Sequence, residues 1–365
     1  MEKCLHMLPM SKLSGAEKMA LTMCKNMKNF IPIVVCGGES LNEVFKRNNI
    51  ESYTLNFSNK AFFQCINGLK KIIKENNIKI IHAHDNNASV KAYLVKRIYS
   101  MNVKIISHIH SCYPFIKENG INKKIDSYFR TKYDYNLACG TIVYDFYNEN
   151  TNYIQDANTM ILSNAIDTKD IITINKNNIK HEFKIDKEKF VLGIVGRICN
   201  IKGIIPFINE FEKNKIKLKD CVVLIVGSGD EEEDVKKLIC ELNLNEFFIL
   251  TGFQDNPYRF YPIIDLFLLP SLYEGLPMVL LEAMLYKKAI ISMNVGGISE
   301  VIKDHDTGIL VNPNDLKGFF EQIISIKEND IERVKLGKSA CEFVNKNYDI
   351  ESYIKKLENK YTEIL

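Results

Sequence analysis

No apolar run in this 365-residue chain approaches the ~18–20 residues that a membrane-spanning helix needs, so no transmembrane segment is expected. The opening residues Met-Glu-Lys-Cys-Leu-His lack the basic-then-apolar layout of a secretory leader, which points to a cytoplasmic protein. Ten cysteines are scattered with no C-x-x-C pair. That argues against a disulfide framework or a zinc ribbon and fits reduced thiols. No G-x-G-x-x-G follows the first strand of either half, which disfavours a nicotinamide oxidoreductase. Internal repeats and low-complexity tracts are also missing. Basic residues do not interleave with aromatics as they do in nucleic-acid binders, so nucleic acid is not an expected partner.

What is present is an ordinary globular composition, 46% hydrophobic and 25% charged, long enough for two domains. Charge is unevenly spread. Residues 1–165 hold 21 Lys and Arg against 13 Asp and Glu, whereas the remainder holds 27 against 32. A basic first half suits an anionic surface such as a membrane face, with Lys123, Lys124 and Arg130 as candidate contacts; a chance excess of solubilising lysines fits equally well.

Short apolar runs alternate with amphipathic stretches throughout, the pattern of parallel sheets covered by helices. Strands are expected near 4–8, 32–36, 78–82, 103–108, 135–138 and 159–162. Helices are expected near 16–27, 41–48, 60–76, 87–99 and 143–148. The polar stretch 167–189 reads as a linker. A second alternation places strands at 190–195, 222–226, 248–250, 266–270, 289–292 and 308–311. A helical tail follows from about residue 330, with a break near Asp349. The fold class is therefore α/β with two doubly wound, Rossmann-like domains.

Chemistry concentrates at the ends of the second-half strands. Val-Gly-Arg-Ile-Cys-Asn-Ile-Lys-Gly at 195–203 sets Gly196, Arg197 and Lys202 beside a helix start, where fixed cations and oriented N–H groups suit a diphosphate. Ile-Val-Gly-Ser-Gly-Asp at 225–230 supplies Gly227 and Gly229 at a tight strand-to-helix turn. Gly252 and Phe253 follow the next strand, and Phe253 suits either a base contact or the core. The run Ser-Leu-Tyr-Glu-Gly-Leu-Pro-Met-Val-Leu-Leu-Glu-Ala at 271–283 then carries Glu274, Gly275 and Glu282. Its first glutamate falls on a loop at the carboxyl edge of the sheet, where open α/β sheets bind ligands, and its second on the next helix. Val-Gly-Gly-Ile-Ser-Glu at 295–300 completes the series.

In the first half, Ser14, Gly15, Ala16 and Glu17 open a helix. His82 and His84 close one strand, and His108 and His110 the next. Four histidines raise the question of a metal, but no carboxylate or thiol completes a site at ligand spacing. Asp304-His305-Asp306 has the D-x-D form of a metal-binding transferase motif, in a position better suited to a turn.

Taken in order, V-G-R…K-G, G-x-G, G-F, E-x7-E and G-G-x-x-E resemble the signature of glycosyltransferase family 4, retaining enzymes of the GT-B double-Rossmann fold. The resemblance covers essentially the whole chain. It implies an N-terminal acceptor-binding domain over 1–166, a nucleotide-sugar domain over 167–345, and a tail helix over 346–365 packing back on the first domain. It also implies a metal-independent hexosyl or N-acetylhexosaminyl transferase with no cofactor. The donor would be a nucleotide-diphosphate sugar, UDP by family custom. The acceptor would be a glycan or lipid-linked glycan of capsular or exopolysaccharide assembly, with peripheral contact at the inner membrane face.

By the same resemblance, Arg197 and Lys202 bind the diphosphate and Glu274 fixes the sugar. Glu282 takes the ribose, and Gly15 approaches the phosphates as the domains close. His110 aligns with the histidine beside the transferred sugar, and His108 is its alternate on the same strand. Two departures stand out: Ala165 in Asn-Ala-Ile-Asp at 164–167 replaces a customary glycine, and no glycine ends the helix near 284–288. A GT-B UDP-sugar epimerase and a non-catalytic nucleotide-sugar-binding protein are the alternatives.

Overall fold

The structure is a computed structural model that describes all residues except 119, 155–157 and 172–175. The chain divides into two compact units, Met1–Asp167 with Ile350–Leu365, and Thr168–Asp349.

Among the described residues, the first unit is built on β1 (Glu2–Leu8), β2 (Phe30–Cys36), β3 (Glu51–Thr54), β4 (Ile80–Ala83), β5 (Lys104–Ile109), β6 (Tyr135–Ala138) and β7 (Thr159–Ile161). These form one sheet in the order β3-β2-β1-β4-β5-β6-β7, with every pair parallel. The helices between them are α1 (Gly15–Asn26), α2 (Glu39–Arg47), α3 (Phe62–Glu75), α4 (Asn86–Ile98), α5 (Ile121–Arg130) and α6 (Thr141–Asn150). The central strands are Ile- and Val-rich and buried on both faces, as parallel strands between helix layers must be. Strand order reverses between β1 and β4, and the first unit's histidines gather there.

Two elements escape the sequence pattern. β3 reads Glu-Ser-Tyr-Thr, a short polar strand at the sheet edge with no fully buried residue. α5 inverts the usual rule. Its Ile121, Ile125 and Tyr128 are exposed, whereas Asp126 and Arg130 are buried. Arg130 donates to both carboxylate oxygens of Asp126, to Ser107 Oγ at 3.2 Å and to Asn136 Oδ1 at 3.4 Å. The proposed basic patch is corrected accordingly: Lys124 is exposed and Lys123 half-buried, but Arg130 is an internal strut.

The second unit repeats the scheme. After α7 (Lys176–Glu182) come β8 (Phe190–Val195), α8 (Ile204–Asn214), β9 (Cys221–Val226), α9 (Glu232–Glu241), β10 (Phe248–Leu250) and β11 (Leu266–Leu269). Then follow α10 (Met278–Leu285), β12 (Ala289–Met293), α11 (Ile298–Val301), β13 (Ile309–Val311), α12 (Leu316–Glu328) and α13 (Asp330–Asn347). The parallel sheet runs β10-β9-β8-β11-β12-β13, reversing between β8 and β11. Phe207, Phe211, Phe247, Phe248, Phe319 and Phe320 fill its core on one side. The supposed linker is only partly that. Residues 172–175 lie outside the described set, but α7 belongs to the second unit, with Ile179 and Ile185 buried and Phe183 edge-on to Phe260.

The tail breaks at Asp349 and continues as α14 (Ile350–Ile364), which packs against α1 in the first unit. Glu358 is buried and accepts from the Lys28 and Asn29 backbone N–H groups, each at 2.7 Å, and from Asn29 Nδ2 at 2.8 Å. Those amides lie just past the end of α1, so one tail carboxylate satisfies donors that the turn leaves over.

Candidate active site

The loops at the carboxyl edge of the second sheet are tied to one another by backbone bonds. Gly196 N–H donates to Val226 C=O at 2.9 Å, Ile198 N–H to Ser228 C=O at 3.0 Å, and Gly227 N–H to Gly252 C=O at 3.1 Å. Leu272 N–H donates to Ile201 C=O at 2.8 Å, and Gly297 N–H to Gly275 C=O at 3.1 Å. The five sequence motifs thus form one hydrogen-bonded rim. Two glycines make its closest approaches possible. Gly203 has φ +66°, and a Cβ there would lie 2.2 Å from the Pro270 carbonyl oxygen. Gly296 has φ +54°, and its Cβ would lie 1.7 Å from that of Glu274. Neither contact tolerates a side chain.

Where strand order reverses, a small pocket is lined by Gly196, Arg197, Lys202, Ile204, Pro270 and Ser271, among others. Lys202 closes a 3₁₀ turn over Asn200–Lys202. Gly203 is left-handed and starts α8, whose first turn carries no capping side chain. Lys202 and Ile204, the first residue of α8, both line the pocket, and a helix start beside a cation is the kind of place that takes an anion. Lys202 Nζ donates to Glu274 Oε1 at 2.6 Å, and Ser271 Oγ donates to the same oxygen at 2.6 Å. Both members of the ion pair are mostly buried, their side chains 17% and 7% exposed. Arg197 is different. Its exposed guanidinium pairs with the exposed Asp230 at 2.5 Å, a contact that an incoming phosphate could replace at little cost.

Glu282 is wholly buried on α10, and its Oε2 accepts from the Tyr261 hydroxyl at 2.6 Å. Burial and the neighbouring carboxylate push the Tyr261 phenol well above its usual range, so it stays a donor. Phe253 is 47% exposed, which removes the core alternative. Asp304 accepts from Leu310 N–H at 2.9 Å, as a turn carboxylate does. Ala165 has no positive φ, whereas the missing glycine after α10 falls on Lys287, at φ +55°.

In the first unit, Gly15 begins α1, and Ser14 Oγ donates to Glu17 without capping a backbone amide. A Cβ on Gly15 would meet nothing within 4 Å, so that turn does not itself require glycine. The histidines do assemble. His108 is buried and His110 half-buried, and their rings lie 3.9 Å apart by centroid. His6 on β1, which pattern reading did not single out, joins them through its parallel register with His82.

Sequence reasoning also missed Ser271, Asp230 and Tyr261. Ser271 was legible as the first residue of the S-x-x-E run. Tyr261 was not, because nothing in the sequence ties it to a glutamate 21 residues later.

Two family descriptions match, Glycosyltransferase Family 4 over residues 13–170 and Glycosyl transferases group 1 over residues 175–343. The chain belongs to the family 4 glycosyltransferases, of GT-B architecture. It is 25% identical over 299 residues to N-acetyl-alpha-D-glucosaminyl L-malate synthase of Bacillus anthracis, covering 81% of this chain and 78% of that one. It is 24% identical over 310 residues to UDP-Gal:alpha-D-GlcNAc-diphosphoundecaprenol alpha-1,3-galactosyltransferase of Escherichia coli, with the same two coverages. Among solved structures, Anabaena Alr3699/HepE in complex with UDP and glucose superposes with a TM-score of 0.85 at 17% identity, covering 100% of both chains. At that identity the likeness establishes the shared fold. No helix among the described residues of this glycosyltransferase is long and apolar enough to cross a membrane.

Proposed function

We propose that this glycosyltransferase moves a hexosyl or N-acetylhexosaminyl unit from a UDP-sugar to a glycan or lipid-linked glycan acceptor, with retention and without a metal cofactor. The observation that carries the reading is the Lys202–Glu274 pair at the switch point of the second sheet, beside the uncapped start of α8. As the bond between sugar and diphosphate breaks, negative charge builds on the leaving phosphate. The Lys202 ammonium, the Arg197 guanidinium and the first amides of α8 supply donors to that charge, the electrostatic contribution that usually matters most. Glu274, held on one oxygen by Lys202 and Ser271, keeps its other oxygen for a sugar hydroxyl. Glu282 takes the ribose, with Tyr261 fixing its carboxylate. Gly15 and His110 are assigned to the donor phosphates and the sugar on the family resemblance. Capsular or exopolysaccharide assembly is the proposed setting.

The relatives' printed activities support a UDP-sugar donor and a lipid-linked acceptor, since one uses UDP-Gal and a diphosphoundecaprenol substrate. A peripheral site at the inner membrane face is supported by α5, whose exposed Ile121, Ile125 and Tyr128 stand beside Lys123 and Lys124. An apolar stripe flanked by lysines suits an anionic bilayer surface.

The deciding experiment incubates the protein with UDP-, GDP- and ADP-sugars in the presence of EDTA and follows nucleotide release. Release from one donor, lost in Arg197→Ala and Glu282→Ala, supports a metal-independent transferase and names its sugar. Absence of binding to every donor overturns the reading. Lys123→Glu with Lys124→Glu is expected to reduce cosedimentation with anionic vesicles, and unchanged cosedimentation would remove the membrane element.

A further inference from the structure

The first unit contains a cluster of five imidazoles, of which the transfer reaction proposed above uses only His110. β1, β4 and β5 are adjacent in the sheet, and each carries histidine in its carboxyl-terminal half: His6 on β1, His82 on β4 with His84 just beyond, and His108 on β5 with His110 just beyond. Parallel register sets His6 beside His82, and residues two apart on a strand share a face, so five rings converge. The ring pairs His6–His84, His82–His84, His82–His108 and His84–His110 have centroids 5.2, 4.3, 5.2 and 5.4 Å apart.

Two hydrogen-bonded chains run through the cluster. In one, Cys4 Sγ lies 3.7 Å from His6 Nε2, His6 Nδ1 lies 2.9 Å from His84 Nε2, and His84 Nδ1 lies 3.1 Å from His110 Nε2. In the other, the Tyr361 hydroxyl lies 2.6 Å from His82 Nδ1, and His82 Nε2 lies 3.1 Å from His108 Nδ1. That second chain then stops. His108 Nε2 is buried and has no hydrogen-bond partner among the described residues, in a ring only 1% exposed. A buried polar nitrogen left over is costly, and such atoms commonly mark a missing ligand or ion.

We propose that His84, His108 and His110 form a three-imidazole binding site for a divalent transition-metal ion of the zinc class. The three residues each bring a ring nitrogen within 4.8 Å of the others. Two nitrogens bound tetrahedrally to one zinc ion lie about 3.3 Å apart, given Zn–N bonds of about 2.0–2.1 Å, close to the 3.1 Å between His84 Nδ1 and His110 Nε2. Three imidazoles with no carboxylate select a borderline ion over magnesium or calcium, which need oxygen ligands. His110 is half-buried, so the cluster is reachable from solvent at that residue.

The outer hydrogen bonds fit as well. With an ion on His108 Nε2, His108 Nδ1–H donates to His82 Nε2, and His82 Nδ1–H donates to the Tyr361 oxygen. With an ion on His84 Nδ1, His84 Nε2–H donates to His6 Nδ1, and His6 Nε2–H points to Cys4 Sγ. Every ring keeps one proton and remains neutral, so the ion requires only tautomer shifts. Ligating histidines whose far nitrogen is held in this way are the rule in metal sites. The site shares His110 with the sugar contact proposed above, but the inference stands on the imidazole geometry and does not rest on that reading.

The test uses the full-length protein, stripped with chelator and desalted, and titrated with Zn²⁺ against a chromophoric chelator and separately with Co²⁺. The expected result is one Zn²⁺ per chain at submicromolar affinity, with the intense visible bands of four-coordinate Co²⁺. His110→Gln, at a half-exposed position, is expected to weaken binding at least about 10-fold, and His6→Gln to weaken it about 10-fold through lost support. His305→Gln, at an exposed histidine of the second unit, should change nothing. Failure of the wild-type protein to take up Zn²⁺ overturns the proposal, as does uptake indifferent to His110→Gln.

Discussion

Lys202 Nζ and Glu274 Oε1 lie 2.6 Å apart although 72 residues separate them, because the strands that deliver them, β8 and β11, are neighbours where the sheet reverses. The pair joins two loops of the candidate donor site, so it bears on both stability and chemistry. Lys202→Met leaves a nearly buried carboxylate with Ser271 as its remaining donor. The expected cost is about 2–4 kcal/mol, read from the urea midpoint of the second unit. The double variant Lys202→Met/Glu274→Gln should recover part of that loss while staying inactive.

Arg197 separates the two effects. Its pair with Asp230 is exposed on both sides and contributes less than about 1 kcal/mol. Arg197→Ala should therefore melt with the wild type yet lose on the order of 100-fold in nucleotide release. A matching fall in thermal stability would recast Arg197 as structural.

The end of α10 offers a stabilising substitution. Lys287 N–H donates to Met284 C=O at 2.9 Å, and Lys288 N–H to Ala283 C=O at 3.0 Å, a Schellman closure whose left-handed position is Lys287 at φ +55°. A left-handed conformation costs a side-chain-bearing residue about 1–2 kcal/mol, and glycine gives back part of that gain as unfolded-chain entropy. The Lys287 side chain is exposed, so little packing is lost. Lys287→Gly should raise stability by about 0.5–1 kcal/mol in chemical denaturation.

Next to it, Lys288 is half-buried and donates to Ile264 C=O at 2.7 Å and Pro262 C=O at 3.3 Å. Burial, with a smaller push from Lys176, lowers its ammonium from 10.5 to about 8. Between those two pH values the unfolded chain holds a proton that the native protein has released. Stability therefore gains about 1.4 kcal/mol per pH unit from this group as pH rises from 8, and the burial penalty is fully present below 8. Subtracting the pH profile of Lys288→Met from that of the wild type should isolate the rise. A flat difference would mean that Lys288 titrates normally.

Much of the fold was legible because β8, β9 and β11 are unbroken apolar runs followed by glycine-marked turns, a pattern that few other arrangements produce. β3 was not, since Glu-Ser-Tyr-Thr at a sheet edge owes its conformation to β2 rather than to its own residues. α5 was hidden for the opposite reason. Its inward face carries Asp126 and Arg130, and charge in a sequence does not reveal whether a partner waits inside. At the candidate site, Glu274, Lys202 and Arg197 stood out by motif. Their partners Ser271 and Asp230, and Tyr261 beside Glu282, are set by tertiary folding. His6 became a member of the histidine cluster only once β1 and β4 were side by side.

The return of α14 to the first unit has a consequence for how the protein is made. Tyr361 is wholly buried against His82, and Glu358 holds the turn after α1, so the earlier-translated unit contains a piece that is made only after the whole second unit. The last strand of the second sheet ends at Val311, well ahead of that piece, so the second sheet can close first. The order of synthesis and the order of completion are therefore reversed. The amino-terminal unit waits, with the α14-facing side of α1 uncovered, until residues 350–365 leave the ribosome.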